Sequence, residues 1–206
     1  MAYARGGIAH GYANGSAYTA AGQRGVVQSD YSTAVFVGDP VVMVDAGAST
    51  IPSTTNAPSE SDVMDGTWPI FEVATAGGVN VIWGFVAAVE PQRGSLSNKH
   101  IPASTGGTIM VTRAEPDLLF RMGTDNTIAI TDINEACDLI ASAGDTATGY
   151  SGWTVDISGV TTAGQVYIRG YLNTPGQATT TTDSVLLCSV QSIQFAINPV
   201  GLGLSA

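Results

Sequence analysis

The stretch RAEPDLLFRMGTDN, Arg113 to Asn126, sets three carboxylates and two arginines around a short apolar run. Glu115, Asp117 and Asp125 are either a reactive or metal-binding cluster or the solvated ends of a buried strand. Pro116 fixes its own φ and drives Glu115 toward an extended conformation, which suits the entry to a strand. Leu118 and Phe120 then face one way, Leu119 and Arg121 the other. Gly123-Thr124-Asp125-Asn126 is turn chemistry, because Asp and Asn bond nearby backbone and Gly tolerates positive φ. A five-residue strand holds its ends roughly 17 Å apart, too far for one acid–base pair. The alternating oxygen ligands, central Gly and closing Glu of a calcium loop are also missing. The carboxylates therefore read as strand ends.

Working outward, the same grammar recurs. AVFVGDPVVMVDAG is two apolar runs split by the turn Gly38-Asp39-Pro40. TWPIFEVAT, NVIWGFVAAVEP, GTIMVTR, WTVDIS and GQVYIRGYL read as strands, with Gly77-Gly78 as a hairpin or bulge between the first two. In GQVYIRGYL, Val166 and Ile168 face one side and Tyr167, Arg169 and Tyr171 the other. SVLLCSVQSIQFAIN reads as a long, bent strand with Val185, Leu187, Ile193, Phe195 and Ile197 on a shared face. IPSTTNAPSESDVMDG and PGQATTTTD are loops. One helix is predicted over DINEACDLIASAG, where Ile133, Ala136, Cys137 and Ile140 recur at helical spacing and Asp132 with Glu135 imitates a capping box. It is expected to pack over a sheet end. Short strands with one small helix and abundant Gly indicate an antiparallel sandwich or barrel. Of these, the fold class expected is mainly β, an antiparallel sandwich or jelly-roll-like domain with one short helix and an extended N-terminal arm.

The arm is residues 1–29 and the single β domain residues 30–206. Six glycines and no regular period before Val26 mean that this segment cannot offset its own backbone entropy by burial. It carries Arg5 and Arg24 and no acid, whereas residues from Asp30 onward carry all seventeen acidic residues. Tyr3, Tyr12 and Tyr18 are either anchors for a partner or part of this chain's own core.

In bulk, 206 residues suffice for a sizeable core. The charged fraction of 12% is about half that of ordinary soluble domains, the place being taken by small residues. A net charge of −10 with Lys99 the sole lysine excludes the basic stripe that nucleic-acid binding needs. No stretch approaches the ~20 apolar residues of a membrane span, and MAYARGGIAHGY has no apolar core of a signal peptide. Cys137 and Cys188 sit in apolar surroundings and read as buried thiols, a disulfide being the alternative. With two histidines, His10 and His100, no zinc ligand set or nucleophilic triad assembles, and nucleophile-elbow, Walker and dinucleotide motifs are absent. No catalytic, cofactor-binding or metal residue is predicted. Trp68, Trp83 and Trp153 sit within strand patterns and read as core, an interface being the alternative.

The order VGDPVVMV, GFVAAVEP, RAEPDLLFRMGTDN, GDTATGYSGWTVD and GQVYIRGYLNTP, spanning about Phe36 to Ile197, resembles a family of tailed-bacteriophage capsid cement, or head decoration, proteins. Pro116, Asp117, Leu118, Leu119 and Phe120 occupy the family's acidic-turn element. Thr148, Gly149, Ser151, Gly152 and Trp153 occupy its Gly- and Thr-rich one. The resemblance implies a non-enzymatic virion protein without cofactors. It would bind the major capsid protein on the outer capsid surface after synthesis in the host cytoplasm, as a homo-oligomer, a trimer rather than a dimer, without nucleic acid or membrane. Arg5, Tyr12, Tyr18 and Arg24 are then the expected capsid contacts, on an arm that orders against the shell and whose loss leaves the body folded. Rival readings are a tail-tube or spike component and a glycan-binding or glycan-hydrolysing β module.

Overall fold

A computed structural model describes residues 6–18, 22–44, 69–78, 80–91, 96–159, 163–172 and 184–194. Its strands are β1 (Ile8–Tyr12), β2 (Gln23–Val27), β3 (Pro40–Val44), β4 (Ile70–Val73), β5 (Gly84–Val89), β6 (Gly107–Arg113), β7 (Leu118–Gly123), β8 (Ala136–Cys137), β9 (Leu139–Ile140), β10 (Thr154–Val155), β11 (Val166–Tyr171) and β12 (Val185–Val190). The chain is mainly β, and most pairings are antiparallel, as expected. β2, β4, β3, β5 and β6 close into a barrel; β1, β7, β12, β11 and β8 form an open five-stranded sheet; β9 and β10 form a small ribbon.

Barrel closure depends on one parallel contact, Val26 opposite Ile70, supported by the Val26 amide donating to the Pro69 carbonyl at 3.0 Å. Five strands enclose little space, and Val27, Val41, Phe71, Trp83, Val86, Ile109 and Val111 fill it. The Phe71 and Trp83 rings lie 5.0 Å apart, tilted by 59°. Gly25 permits the fit, because a Cβ there would stand 2.3 Å from the Phe71 ring. A second core lies between barrel and sheet, where Phe85 from β5 meets Phe120 from β7 among Leu118, Met122, Ile168, Leu186 and Trp153. Burying each of these rings is worth about 2–3 kcal/mol. Trp83 and Trp153 are 3% and 5% exposed, as their strand context predicts; Trp68 lies outside the described residues.

Gln165, fully buried just before β11, ties several segments together. Its side-chain oxygen accepts from the Gly77 and Leu139 amides at 2.7 and 3.3 Å. Its amide nitrogen donates to the Thr75 and Asn80 carbonyls at 2.9 and 3.1 Å. All four valences of a buried amide are thereby met.

Three expectations are corrected. The helix over DINEACDLIASAG is replaced by a three-residue 3-10 turn, Ile130–Asp132, followed by β8 and β9. Asn134 adopts φ 72°, which interrupts any helix, and the apolar residues find strand partners: Ala136 and Cys137 opposite Tyr167 and Val166, Leu139 and Ile140 opposite Val155 and Thr154. A short apolar run fits both periods, and pairing across the sheet decides between them. Gly77 and Gly78 do have positive φ, but they do not close a hairpin, since β3 lies between β4 and β5.

The described part of the expected arm belongs to the body. β1 pairs with β7 and β2 pairs with β6 and β4. The Gly7 amide donates to the Gly38 carbonyl at 2.8 Å, and a Cβ on Gly7 would stand 2.3 Å from the Phe85 ring. The glycines that suggested an unstructured segment are the ones that let it lie flat on the core.

Candidate functional site

Of the four expected contact residues, Arg5 lies outside the described residues. Tyr12 and Tyr18 are brought together, ring centroids 6.2 Å apart, both packed against the core around Phe120. Between them runs a tight turn. The Tyr12 amide donates to the Ser16 carbonyl, the Asn14 side chain accepts from the Ser16 amide, and Gly15 supplies φ 87°. Arg24 is elsewhere, on the barrel, where its guanidinium is 2.7 Å from a Glu90 carboxylate oxygen. Of the three described, Tyr12 and Tyr18 thus belong with the open sheet and Arg24 with the barrel.

The three carboxylates of the opening stretch separate as their strand-end positions predict. Asp125 accepts from the Ile157 amide at 2.9 Å and holds a turn. Glu115 accepts from the Tyr12 hydroxyl at 3.3 Å. With Asn14, Pro116 and Asp117 these two residues line a cleft of about 490 Å³. Among the described residues no group of three or more His, Cys, Asp or Glu side chains is placed to hold a metal ion.

A second cleft, about 540 Å³, is bounded by Thr33, Phe36, Asp39, Gly144 and Trp153. Asp39 is 3% exposed. Its carboxylate accepts from the Phe36 amide at 2.8 Å and from the Ser151 hydroxyl, and Ser151 Oγ in turn accepts from the Trp153 amide at 3.1 Å. Burial raises the carboxyl to about 6, against the lowering effect of those two donors. The sequence showed Asp39 only as a turn residue before Pro40. Its position between two apolar runs was the available signal that the carboxylate is enclosed. The arrangement is a clamp between two loops, with a carboxylate facing one backbone amide and one hydroxyl donor.

Cys137 and Cys188 are free thiols. They lie on β8 and β12, on opposite sides of β11. Two strand spacings of about 4.8 Å each exceed what a disulfide can bridge. Burial pushes Cys137 up to about 12 and raises Cys188 further, so neither is a nucleophile near neutrality.

The open sheet turns its second face outward. On β7, Arg121 is exposed between buried Phe120 and Met122; on β11, Arg169 is exposed and Tyr167 half-buried; Leu119 and Leu187 are half-buried beside them. Arg121 lies opposite Leu187, which lies opposite Gly170, so the two arginines flank Leu187. Arg169 donates to Ser189 Oγ at 3.0 Å and stacks its guanidinium over the Tyr167 ring at 4.6 Å. The strands of this sheet contain none of the seventeen acidic residues. Val166 and Ile168 face inward and Tyr167 and Arg169 outward as alternation predicts, but a register shift after Ile168 sets Tyr171 opposite core-facing Leu186, so the expected outward set ends at Arg169. That Tyr167 and Arg169 form one face with Arg121 depends on long-range pairing the sequence does not display.

Among the described residues no helix is long and apolar enough to cross a membrane. Comparison of the chain with protein-family models, with curated proteins and with solved structures gives no match.

Proposed function

We propose that this chain is a structural virion protein, a cement or decoration protein that binds the outer surface of an icosahedral phage head and stabilises contacts between neighbouring capsomers. The observation that carries the reading is the outward sheet face, in which arginine, tyrosine and leucine alternate on a rigid pleated surface. Such composition, with few lysines and carboxylates, suits contact with protein. In the same reading, barrel and sheet, apposed across Phe85 and Phe120, act as two layers of a sandwich-like body. The partners are the major capsid protein and other copies of this chain, with a trimer favoured over a dimer. A cement protein needs only to bind the assembled lattice better than its free subunits, and many copies add avidity. Tyr12 and Tyr18 remain candidates for the contact; Arg24, already paired with Glu90, is a weaker one.

The test is copy number and particle stability. Quantitative mass spectrometry of virions carrying this chain is expected to place it near the major capsid protein in abundance. Particles stripped of it are expected to lose resistance to heat and osmotic shock. Abundance of a few copies per particle would instead indicate a tail or spike component. Equal robustness of stripped and complete particles would overturn the cement role.

A further inference from the structure

We infer that the outward face of the open sheet is a docking site for a second copy of this chain, held through charge complementarity. The observation is an asymmetry within one molecule. All seventeen acidic residues lie outside the five strands β1, β7, β8, β11 and β12, whereas Arg121 and Arg169 lie within them. Arg121 makes no ion pair among the described residues, and Arg169 contacts Tyr167 and Ser189 rather than a carboxylate. Half-buried Leu119, Leu187 and Tyr167 between and beside the guanidiniums supply apolar area to be covered.

The acidic counterpart belongs to the same chain. The turn Glu115-Pro116-Asp117 and the Tyr12 ring line a cleft whose carboxylates are exposed. Planar guanidiniums match carboxylates in two-point contact, and aromatic rings beside them favour the pairing once water is excluded. The cleft stands at the entry to β7 and Arg121 farther along the same strand, so pairing one copy's cleft with another's arginines either repeats reciprocally about a two-fold axis or runs on from copy to copy. A polyanion is the poorer occupant. Two arginines interleaved with leucine and tyrosine on a body of net charge −10 do not make the continuous basic track that phosphates require. This inference rests on the self-association within that reading and is tested without any capsid, so its failure removes the oligomer while capsid binding is decided separately by copy number and particle stability.

Sedimentation velocity of the purified full chain, from micromolar to near-millimolar concentration, is expected to show reversible association that weakens with added salt. Arg121→Glu with Arg169→Glu is expected to weaken it by at least about a hundredfold, since like charges then face each other. Glu115→Arg with Asp117→Arg is expected to do the same. Mixing the two double variants restores both opposite-charge contacts and is expected to restore assembly. The softer pair Arg121→Gln and Arg169→Gln, with unchanged thermal midpoint, separates loss of contact from loss of fold. A wild-type chain that stays monomeric throughout overturns the inference. So does a mixture that fails to assemble, or wild-type binding to duplex DNA without self-association.

Discussion

The rings of Phe85 and Phe120 meet with centroids 4.5 Å apart, tilted by 46°, and join the barrel to the open sheet. Both are at most 1% exposed. Phe120→Ala removes a ring from the centre of the larger core and is expected to cost about 3–5 kcal/mol, measured by urea unfolding. Phe85→Ala is expected to cost a similar amount. The double variant should cost less than the sum, because the second truncation enlarges a cavity the first has opened. Strict additivity would mean that the two layers are not coupled through this pair.

Gln165 offers a contrasting test, polar rather than apolar. Gln165→Leu keeps volume but strands the Gly77 and Leu139 amides and the Thr75 and Asn80 carbonyls. Each buried unmet group costs about 1–3 kcal/mol; partial relaxation makes a total loss of about 3–5 kcal/mol the expected result. Hydrogen exchange should show faster exchange at Gly77 and Leu139 before other amides change.

Asp39 gives a pH dependence of unusual sign. Its folded value of about 6 lies above the ordinary 3.8, so the folded state binds its proton more tightly than the unfolded one. The stability it contributes is fully present below about pH 4 and is lost as pH rises through 6. The difference between wild type and Asp39→Asn, read by denaturant unfolding at several pH values, isolates this carboxyl from the others. Asn should gain on wild type by about 2–3 kcal/mol between pH 4 and pH 7. A flat difference would show that the Phe36 and Ser151 donors cancel the cost of burial.

Deleting residues 1–25 removes β1 and most of β2, hence one edge of the sheet and the strand that closes the barrel. The truncated chain is expected to lose cooperative unfolding and to bind a hydrophobic dye. A folded remainder with a sharp thermal transition would mean that these strands are dispensable.

The strands were legible because they carry their own alternation. Val166 and Ile168 against Tyr167 and Arg169, or Leu118 and Phe120 against Arg121, announce two faces locally, whereas the register shift that takes Tyr171 off that face does not show in the sequence. What stayed hidden depends on partners far along the chain. Ala136 and Cys137 satisfy a helical period as well as a strand's, and only Val166 and Tyr167 opposite them decide. Gly7 looks like mere freedom until the Phe85 ring beneath it is known. Asp39 reads as a turn residue until Ser151 and the Phe36 amide enclose it. The candidate site suffered most, since a docking face consists of side chains from several strands whose order is not written in any one of them.

The pairing of Ile8 with Arg121 and of Gln23 with Val111 sets a timetable for the growing polypeptide. The first two strands must wait, on the order of a hundred residues of synthesis, before their neighbours leave the ribosome. Such distant partners raise contact order and slow folding. A segment rich in glycine and poor in large apolar side chains is well suited to that interval, because it offers little for other nascent chains to adhere to while it waits.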